Sequence, residues 1–306
     1  MNILHMKYAV EVAKTGSVNK ASKALLIAQP NLSRCIKELE AELGICIFER
    51  SARGMMLTKD GEVFISHARR LIAHMDDIAK IYKGVRPSVN RFSISAPEAD
   101  YISFAFSDFV RANSSNGESE FRYYEDTALN TVERVGAFDC RLGIIRYCSD
   151  YDKVFRSMLK DKIFNCELIS EFSFLITMRK DSPLASMKSI RLQDLKPYIR
   201  ISECDTSDLP SAKLKRDNIS GESSRRLFVS DRALRFRIVS ENPEAFMWHP
   251  KTSEDNLAKY GLVQKNFSGP AKIFKDVLIY KKGYLLSDLD KDFITRLCDS
   301  KRKYLD

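Results

Sequence analysis

Apolar residues in the first 58 positions recur at the spacing of three short helices followed by a β-hairpin. Leu4, Tyr8 and Val12 lie on one face of a first helix that ends at Gly16, and Ser17 is a suitable N-cap for a second helix. A tight turn is expected at residues 26–28. The inner face of the second helix is expected to comprise Ala21, Ala24 and Leu25.

A third helix is predicted to begin near Gln29, where Pro30 is tolerated because its missing N–H would have no partner in the first turn. Gly44 is expected to end this helix in the left-handed conformation. Residues 45–50 and 55–58 predict two short strands around a basic tip at 51–54, which would form a wing. The apolar face of the third helix is expected to comprise Leu32, Ile36, Leu39 and Leu43.

Residues 59–82 carry an apolar stripe with alternating steps of four and three, which is typical of a helix that pairs with another helix. So long a stripe cannot be buried by a 58-residue head alone, so a second copy of the chain is the expected partner. Gly84 and Pro87 end the helix, and residues 85–90 form a linker. The stripe comprises Phe64, Ala68, Leu71, Met75, Ile78 and Tyr82.

Beyond Arg91, short apolar runs alternate with amphipathic stretches, which predicts an α/β fold with a largely parallel sheet. The amphipathic stretches are residues 102–110, 131–138 and 231–240. Strands are predicted at residues 92–96, 121–125, 140–145, 174–178, 198–201, 227–229, 246–248 and 277–280.

The composition is that of an ordinary globular protein, with 44% apolar and 30% charged residues in a chain of 306. That length predicts two or three compact units. The net charge of +9 is compatible with a polyanionic partner but does not establish one. No apolar run is long enough to span a membrane, and Lys7, Glu11 and Lys14 interrupt the place of a signal peptide, so we expect a cytoplasmic protein.

Catalytic and metal-binding motifs are missing from the sequence. The four histidines show no metal-ligand spacing, and there is no GxSxG, no phosphate loop and no GxGxxG after a strand. The seven cysteines form no CxxC pair, and most are expected to be free, buried thiols. We therefore expect a chain that is not an enzyme and needs no metal or cofactor.

The sequence resembles the LysR-type transcriptional regulator family. The resemblance lies in TGSVNKASKAL (15–25), QPNLSRCIKELE (29–40), LG (43–44), FER (48–50) and LTKDG (57–61), in family order and spacing. The C-terminal part is similar more weakly, at GAFD (136–139), SPLA (182–185) and DL (194–195). Two departures are Ala28, where the family usually has a capping Ser or Thr, and the turn at 241–244, which lacks the usual glycines.

The resemblance implies a mainly helical winged helix-turn-helix DNA-binding domain (1–58), a dimerisation helix (59–84) and a C-terminal effector-binding domain (91–306). The effector domain would have a periplasmic-binding-protein-like α/β fold with two subdomains joined by crossing strands. Subdomain I would span about 91–163 and 269–306, and subdomain II about 164–268. The chain would return to subdomain I near Ile273.

The polar face of the third helix is the expected reader of DNA. Gln and Asn side chains can bond adenine edges and Arg can bond guanine, whereas Ser17 and Lys37 are better placed for phosphate. Arginines at the wing could reach the backbone or a narrow minor groove. The alternative is a solvated helix face and loop. The predicted DNA-binding residues are Ser17, Gln29, Pro30, Asn31, Ser33, Arg34, Lys37, Arg50 and Arg53.

The resemblance also implies a small-molecule effector, of unknown identity, in a cleft between the subdomains. Arg146 could pair a ligand carboxylate, whereas Glu98, Asp100 and Glu203 could select an amine. The alternative for each residue is a surface loop position, or a core aromatic for the lone tryptophan. The predicted effector-binding residues are Ala96, Pro97, Glu98, Asp100, Arg146, Ile201, Ser202 and Trp248.

The expected partners are a double-stranded DNA operator and a second copy of the chain, with a homotetramer and RNA polymerase as further candidates and no membrane. Two other regulator types stay open. One responds to oxidants through effector-domain cysteines such as Cys140 and Cys148, and the other answers to a protein or to no ligand. An enzyme with an α/β domain is the least favoured alternative.

Overall fold

The computed structural model describes residues 2–51, 54–82, 89–115, 117–161, 163–203 and 223–305. The chain forms two compact units, Met1–Ser88 and Val89–Asp306. The wing residue Arg53 lies outside the described residues, and so do residues 85–88 of the linker predicted at 85–90. Among the described helices, none is long and apolar enough to cross a membrane.

The first unit contains three helices, a hairpin and a long fourth helix, as the sequence predicted. The N-cap of the first helix is Asn2, Ser17 caps the second, and Gly16 and Gly44 both end helices in the left-handed conformation. The elements are α1 (Ile3–Thr15), α2 (Val18–Ala24), α3 (Gln29–Leu43), β1 (Phe48–Ser51), β2 (Gly54–Leu57) and α4 (Lys59–Tyr82).

The buried faces of the first two helices differ from the prediction. In α1 the buried residues are Met6, Ala9 and Val12, whereas Leu4 is half exposed. In α2 the buried residues are Ala21 and Ser22, and Ala24 is exposed. The periodicity assumed one neighbour for each helix, but α1 packs against α2, α3 and α4, so its buried face is displaced from the predicted one.

Helix α4 has the predicted bounds, but its apolar stripe is divided in two. Ala68 is 2% exposed and Phe64 packs against the core of the first unit. Contrary to the prediction, Ala68 is therefore not available to a partner. Its small side chain lies on a helix that packs closely against α1. Leu71 and Met75 are 45% and 38% exposed. The side chains of Ile78 and Tyr82 lie outside the described residues.

Gly61 in the first turn of α4 permits a close approach to the carbonyl oxygen of Ile47. A Cβ atom at this position would lie 2.0 Å from that oxygen, so Gly61→Ala must move one backbone segment. We expect a loss of about 1–3 kcal/mol in the free energy of unfolding, measured by urea denaturation. Gly136→Ala is the control, since its Cβ would meet only the Phe164 ring at 3.8 Å. Equal stability of the two variants would contradict this account.

The second unit contains two five-stranded sheets. The first has the strand order β4-β3-β5-β12-β6. Its strands are β3 (Val89–Ala96), β4 (Glu118–Glu125), β5 (Leu142–Cys148), β6 (Phe164–Ser173) and β12 (Ile273–Lys281). The helices of this part are α5 (Asp100–Asn113), α6 (Ala128–Gly136), α7 (Asp152–Asp161) and α11 (Asp288–Tyr304).

The second sheet has the strand order β11-β7-β10-β8-β9. Only one residue separates the end of β6 from the start of this sheet. The strands are β7 (Leu175–Arg179), β8 (Ile199–Ser202), β9 (Arg225–Phe228), β10 (Ala245–His249) and β11 (Leu262–Lys265). The helices are α8 (Pro183–Ser186), α9 (Arg232–Glu241) and α10 (Glu254–Tyr260).

The prediction of a largely parallel sheet is wrong. Strand β3 is parallel to β4 and β5, and β8 is parallel to β9 and β10. Strand β12, however, is antiparallel to β5 and β6, and β7 is antiparallel to β10 and β11. The antiparallel pairs arise because the chain leaves the first sheet through β6 and returns to it through β12, beginning at Ile273, as the resemblance implied.

The sequence missed β6 and β11, which lie at one edge of each sheet, whereas β4 and β9 at the opposite edges were predicted. Polar residues interrupt the apolar pattern in both missed strands. Strand β6 accordingly exposes Glu167, Leu168 and Glu171. The apolar runs that predicted the other strands are therefore absent here.

Aromatic rings form much of the core under the first sheet. The Phe92 ring lies 4.5 Å from Phe109 and 5.0 Å from Phe293, centroid to centroid. A separate core lies beside the second sheet and includes Ile176, Met178 and Phe246. Each sheet therefore packs against its own apolar core, and the loops at the strand ends remain available to form a binding site.

Candidate functional site

Helix α3 presents a polar face whose opposite side is fixed in the core. Leu32 and Leu39 are fully buried and Ile36 is 5% exposed. The exposed residues among those predicted to read DNA are Gln29, Pro30, Asn31, Arg34 and Lys37, whereas Ser33 is half-buried. Because the buried face packs in the core, the polar face of α3 is held in a fixed position at the surface.

Three predicted DNA-binding side chains already have partners within α3. Gln29 Nε2 donates to Ser33 Oγ at 3.1 Å, and Arg34 Nε lies 3.5 Å from Glu38 Oε1. The Arg34–Glu38 pair is exposed, so it contributes little and can be exchanged for another anion. As expected from the sequence, Ala28 provides no side-chain cap for α3.

The other DNA-binding predictions lie on the cap of α2 and on the hairpin. Ser17 Oγ accepts from the Lys20 amide at 3.4 Å, which confirms its capping role. The main chain of Arg50 pairs with Met55 in the hairpin, but the Arg50 side chain and all of Arg53 lie outside the described residues. The turn before α3 contains Leu26, which is 93% exposed at φ 55°; the sequence predicted the turn but not this exposure.

The second unit contains a cavity of about 450 Å³ between its two sheets. It lies at the ends of β3, β4 and β5 on one side and of β8 and β10 on the other. Its lining residues are Pro97, Glu98, Asp126, Thr127, Ala128, Leu129, Arg146, Tyr147, Cys148, Tyr151, Phe155, Phe174, Arg200, Ile201, Ser202, Glu203, Arg235, Met247, Trp248, His249, Pro250, Phe267, Pro270, Ala271, Lys272 and Phe274.

Six of the eight predicted effector-binding residues line this cavity: Pro97, Glu98, Arg146, Ile201, Ser202 and Trp248. The other two do not line it. Ala96 is fully buried, and Asp100 is 1% exposed and bonded to polar groups of α9 and α10. The sequence missed Arg235 because it lies on a helix with arginine at several positions, and nothing in that pattern marks the one that is buried.

Glu98, in the loop after β3, is the centre of a buried charge network. Its Oε1 lies 2.8 Å from His249 Nε2 and 2.9 Å from Arg232 Nε, and its Oε2 accepts from Arg235. Burial alone would raise the pKa of Glu98, but the hydrogen bond from His249 and the charges of His249, Arg232 and Arg235 lower it to about 2. Glu98 is therefore ionised at any physiological pH.

Asp100 extends the network to the start of α10. Its Oδ1 accepts from Arg232 at 2.8 Å. Its Oδ2 accepts from the Ser253 amide at 2.9 Å and from Asn256 Nδ2 at 2.8 Å. Glu98 and Asp100 belong to the first-sheet part and their partners to the second-sheet part, so the network joins the two sides of the cavity.

Arg146, which the sequence suggested as a partner for a ligand carboxylate, already bonds a carboxylate of the protein. Its Nε and Nη2 donate to Asp276 at 2.7 and 2.6 Å, and its Nη1 donates to the Glu98 carbonyl oxygen at 2.7 Å. Tyr101 also donates to Asp276, at 2.6 Å. Asp276 is fully buried and satisfies the guanidinium, so a ligand carboxylate would have to break this pair.

Aromatic rings form much of the remaining cavity wall. Phe174 and Phe274 stack at 4.1 Å, and Tyr147 and Phe155 stack at 4.4 Å. Trp248 packs edge-on against Phe267 at 5.3 Å. Phe174 and Phe274 were not singled out by the sequence, because they come from the two segments that cross between the sheets.

The cysteines considered for redox sensing are protected by burial. Cys140 and Cys148 are 1% and 4% exposed. Burial raises the pKa of the Cys140 thiol to about 12 and also raises the pKa of Cys148. The reactive thiolate form is therefore rare at both positions, which favours the structural role.

One cluster of possible metal ligands occurs among the described residues, where His5, Cys35 and Glu38 offer ligand atoms within 4.8 Å of one another. His5 is on α1 and the other two are on α3, so sequence spacing could not reveal it. Glu38 also pairs with His5 at 4.0 Å and with Arg34 at 3.5 Å. Glu38 is the exposed member of the three, and these two contacts place its carboxylate beside His5.

Comparison with known proteins identifies the first unit. The family model for the bacterial regulatory helix-turn-helix protein, lysR family, matches residues 3–62. The HTH-type transcriptional regulator YcgK of Bacillus subtilis is 46% identical over 80 residues, which cover 26% of this chain and 25% of YcgK. YvbU of Bacillus subtilis is 28% identical over 200 residues, covering 64% and 63% of the two chains. The matches thus span less than two thirds of either relative.

The whole fold is also similar to a solved structure. Full-length LysG from Corynebacterium glutamicum, solved with bound effector Arg, has a TM-score of 0.60 at 15% sequence identity. The similarity covers 100% of this chain and 99% of LysG. At this identity it shows a common fold and nothing about the ligand of this chain. The family model thus assigns residues 3–62 to the helix-turn-helix domain of the lysR family, and the chain as a whole shares its fold with LysG.

Proposed function

We propose that this chain is a sequence-specific DNA-binding transcription regulator rather than an enzyme. The observation that carries the proposal is the exposed polar face of α3, held in place by Leu32, Ile36 and Leu39. In helix-turn-helix proteins such a helix enters the major groove. Gln29 and Asn31 suit adenine edges and Arg34 suits guanine, whereas Ser17 and Lys37 would contact phosphates.

The second unit would control DNA binding through a small molecule bound in the cavity between its sheets. Its volume, about 450 Å³, lies within the range typical of small-molecule sites. A ligand there touches groups from both sheets and would change how they are held together. We assign residues 1–58 to DNA binding, 59–84 to pairing, and 91–306 to effector binding, with subdomain I at 91–163 and 269–306.

The proposed regulator works in the cytoplasm as an assembly of identical chains. Leu71 and Met75 are exposed apolar residues of the α4 stripe that a second copy would cover. Residues further along the stripe would extend the same contact into a dimer. Pairing of dimers into a tetramer and contact with RNA polymerase complete the proposal.

The direct test is the affinity of Arg34→Ala for an operator selected from genomic duplexes. Loss of a guanine contact is worth about 1–3 kcal/mol, so we expect binding to weaken roughly 10-fold or more at fixed salt. Fluorescence anisotropy with a labelled duplex measures it. Arg34 is 74% exposed at its side chain, so the unfolding temperature should not change.

Arg111→Ala is the matched control for this test. Arg111 is an equally exposed arginine on α5, paired with Asp108 at 2.8 Å one helical turn away. Its removal should leave DNA affinity unchanged. If both variants bound the operator as the unaltered chain does, α3 would not be the reading helix.

A further inference from the structure

Several of the charged side chains that line the cavity are already paired within the protein. Glu98 bonds His249, Arg232 and Arg235. Asp126 accepts from Arg134 at 2.6 Å. The Arg146 guanidinium is held by Asp276. Arg200, Glu203 and Lys272 also make interactions within the protein. A charged ligand that bonded to Glu98, Asp126 or Arg146 would have to break one of the pairs above.

The position of Glu98 disfavours an acidic ligand in particular. Glu98 lies in the cavity wall and is already bonded to Arg235 and His249. Its pKa of about 2 means that it stays negatively charged as a ligand approaches. Glu203 and Asp126 add two further carboxylates to the wall. A carboxylate ligand placed beside Glu98 would therefore meet the repulsion of that charge.

Arg235 contributes to the wall a buried donor that still lacks an acceptor. Arg235 Nε is buried and has no hydrogen-bond partner among the residues that the structure describes. The Arg235 side chain is 8% exposed and lines the cavity. A buried donor without a partner is costly, and a neutral carbonyl oxygen from a ligand would satisfy it without disturbing Glu98.

From these contacts we infer that the effector is an uncharged, largely aromatic molecule that carries one hydrogen-bond acceptor, such as a carboxamide or ketone. The rings of Phe174, Phe274 and Trp248 offer surfaces for an aromatic body. The Arg235 guanidinium takes the acceptor. This inference rests on the proposed role of the cavity as the effector site, and it specifies which chemistry that site selects.

Matched pairs of amides and acids test the inference on the full chain without DNA. We would titrate 3-phenylpropanamide against 3-phenylpropanoate, and benzamide and cyclohexanecarboxamide against their acids, at pH 7.5. Trp248 is the only tryptophan in the chain and lines the cavity, so its fluorescence reports binding there. We expect the aromatic amides to bind at least 10-fold more tightly than their acids, and the cyclohexyl amide less tightly than benzamide.

Two results would overturn the inference. One is an acid that binds as well as its amide, and the other is no fluorescence response to any amide at millimolar concentration. Neither result bears on DNA binding, which is measured separately with Arg34→Ala. A failure of the ligand class is thus distinguished from a failure of the regulator function.

Substitution of the wall carboxylates tests the cause of the selectivity. Glu98→Gln keeps the shape of the side chain and removes its charge, so acid binding should improve about 10-fold while amide binding changes less than 3-fold. Circular dichroism confirms folding. If that variant does not fold, Glu203→Gln removes a more exposed carboxylate from the same wall and should improve acid binding in the same direction. Unchanged acid binding in the folded variant would contradict the inference.

Discussion

Asp276→Asn is expected to lower the free energy of unfolding by about 3–5 kcal/mol, the cost typical of breaking a buried ion pair. Asp276 is fully buried, and it is the counter-charge for Arg146, whose side chain is 10% exposed. The asparagine keeps the shape but leaves the guanidinium buried without its anion. Urea denaturation of the full chain at pH 7 measures the loss.

The second contact of Asp276 makes the effect larger than the ion pair alone. Tyr101 donates to the same carboxylate, and burial together with Asp276 raises the pKa of Tyr101, so its phenol remains protonated. The substitution therefore weakens the support of two buried groups at once. This position lies on β12, the strand by which the chain returns to the first sheet, so the loss should destabilise the second unit.

Asp299→Asn is the control for this prediction. Asp299 also pairs with an arginine, Arg302, but the two side chains are 65% and 74% exposed. Exposed pairs contribute 0–1 kcal/mol, so this variant should stay close to the unaltered chain. A cost below about 1 kcal/mol for Asp276→Asn would show that the buried pair is not a structural support.

Acid is expected to remove about 3 kcal/mol of stability through Glu98 alone. The pKa of Glu98 is lowered in the folded protein from its ordinary value of 4.5 to about 2. The stabilisation is therefore fully present above pH 4.5 and is lost as the pH falls towards 2. Below that range both folded and unfolded states are protonated, so no contribution remains.

The comparison of the unaltered chain with Glu98→Gln isolates this contribution. The variant should be less stable above pH 5, and the difference between the two proteins should shrink as the pH falls from 5 to 3. Urea midpoints at each pH measure it. Glu244→Gln, which removes an exposed partner of Arg225, is the control. Its urea midpoint should change with pH in the same way as that of the unaltered chain. A constant difference between Glu98→Gln and the unaltered chain would contradict the prediction.

The α3 face and the bounds of α4 were predictable because both follow from local spacing. A helix places residues three and four apart on one side, so Leu32, Ile36 and Leu39 had to be buried together. The polar residues between them then had to face outward. The same reasoning failed for the inner face of α1, where contacts with three other helices decide which side is buried.

The cavity was predicted only in outline. The strand ends at Pro97, Arg146 and Ser202 could be located from the sequence and its resemblance to a family. The residues that pair with the side chains at these strand ends, and so determine their chemistry, could not be located from the sequence. Arg235 and His249 are 137 and 151 residues from Glu98 along the chain, and hydrophobic periodicity carries no information about contacts at that separation.

The sequence by itself therefore determined the position of α3, its buried and polar faces and the alternation of strands and helices, because these depend on neighbours a few residues apart. Only the tertiary structure decided the direction of β12, the burial of Ala68 and the pairing of Arg146 with Asp276 instead of a ligand. The physical reason is that charge pairing depends on distance in space, and folding brings together groups that are far apart in the chain.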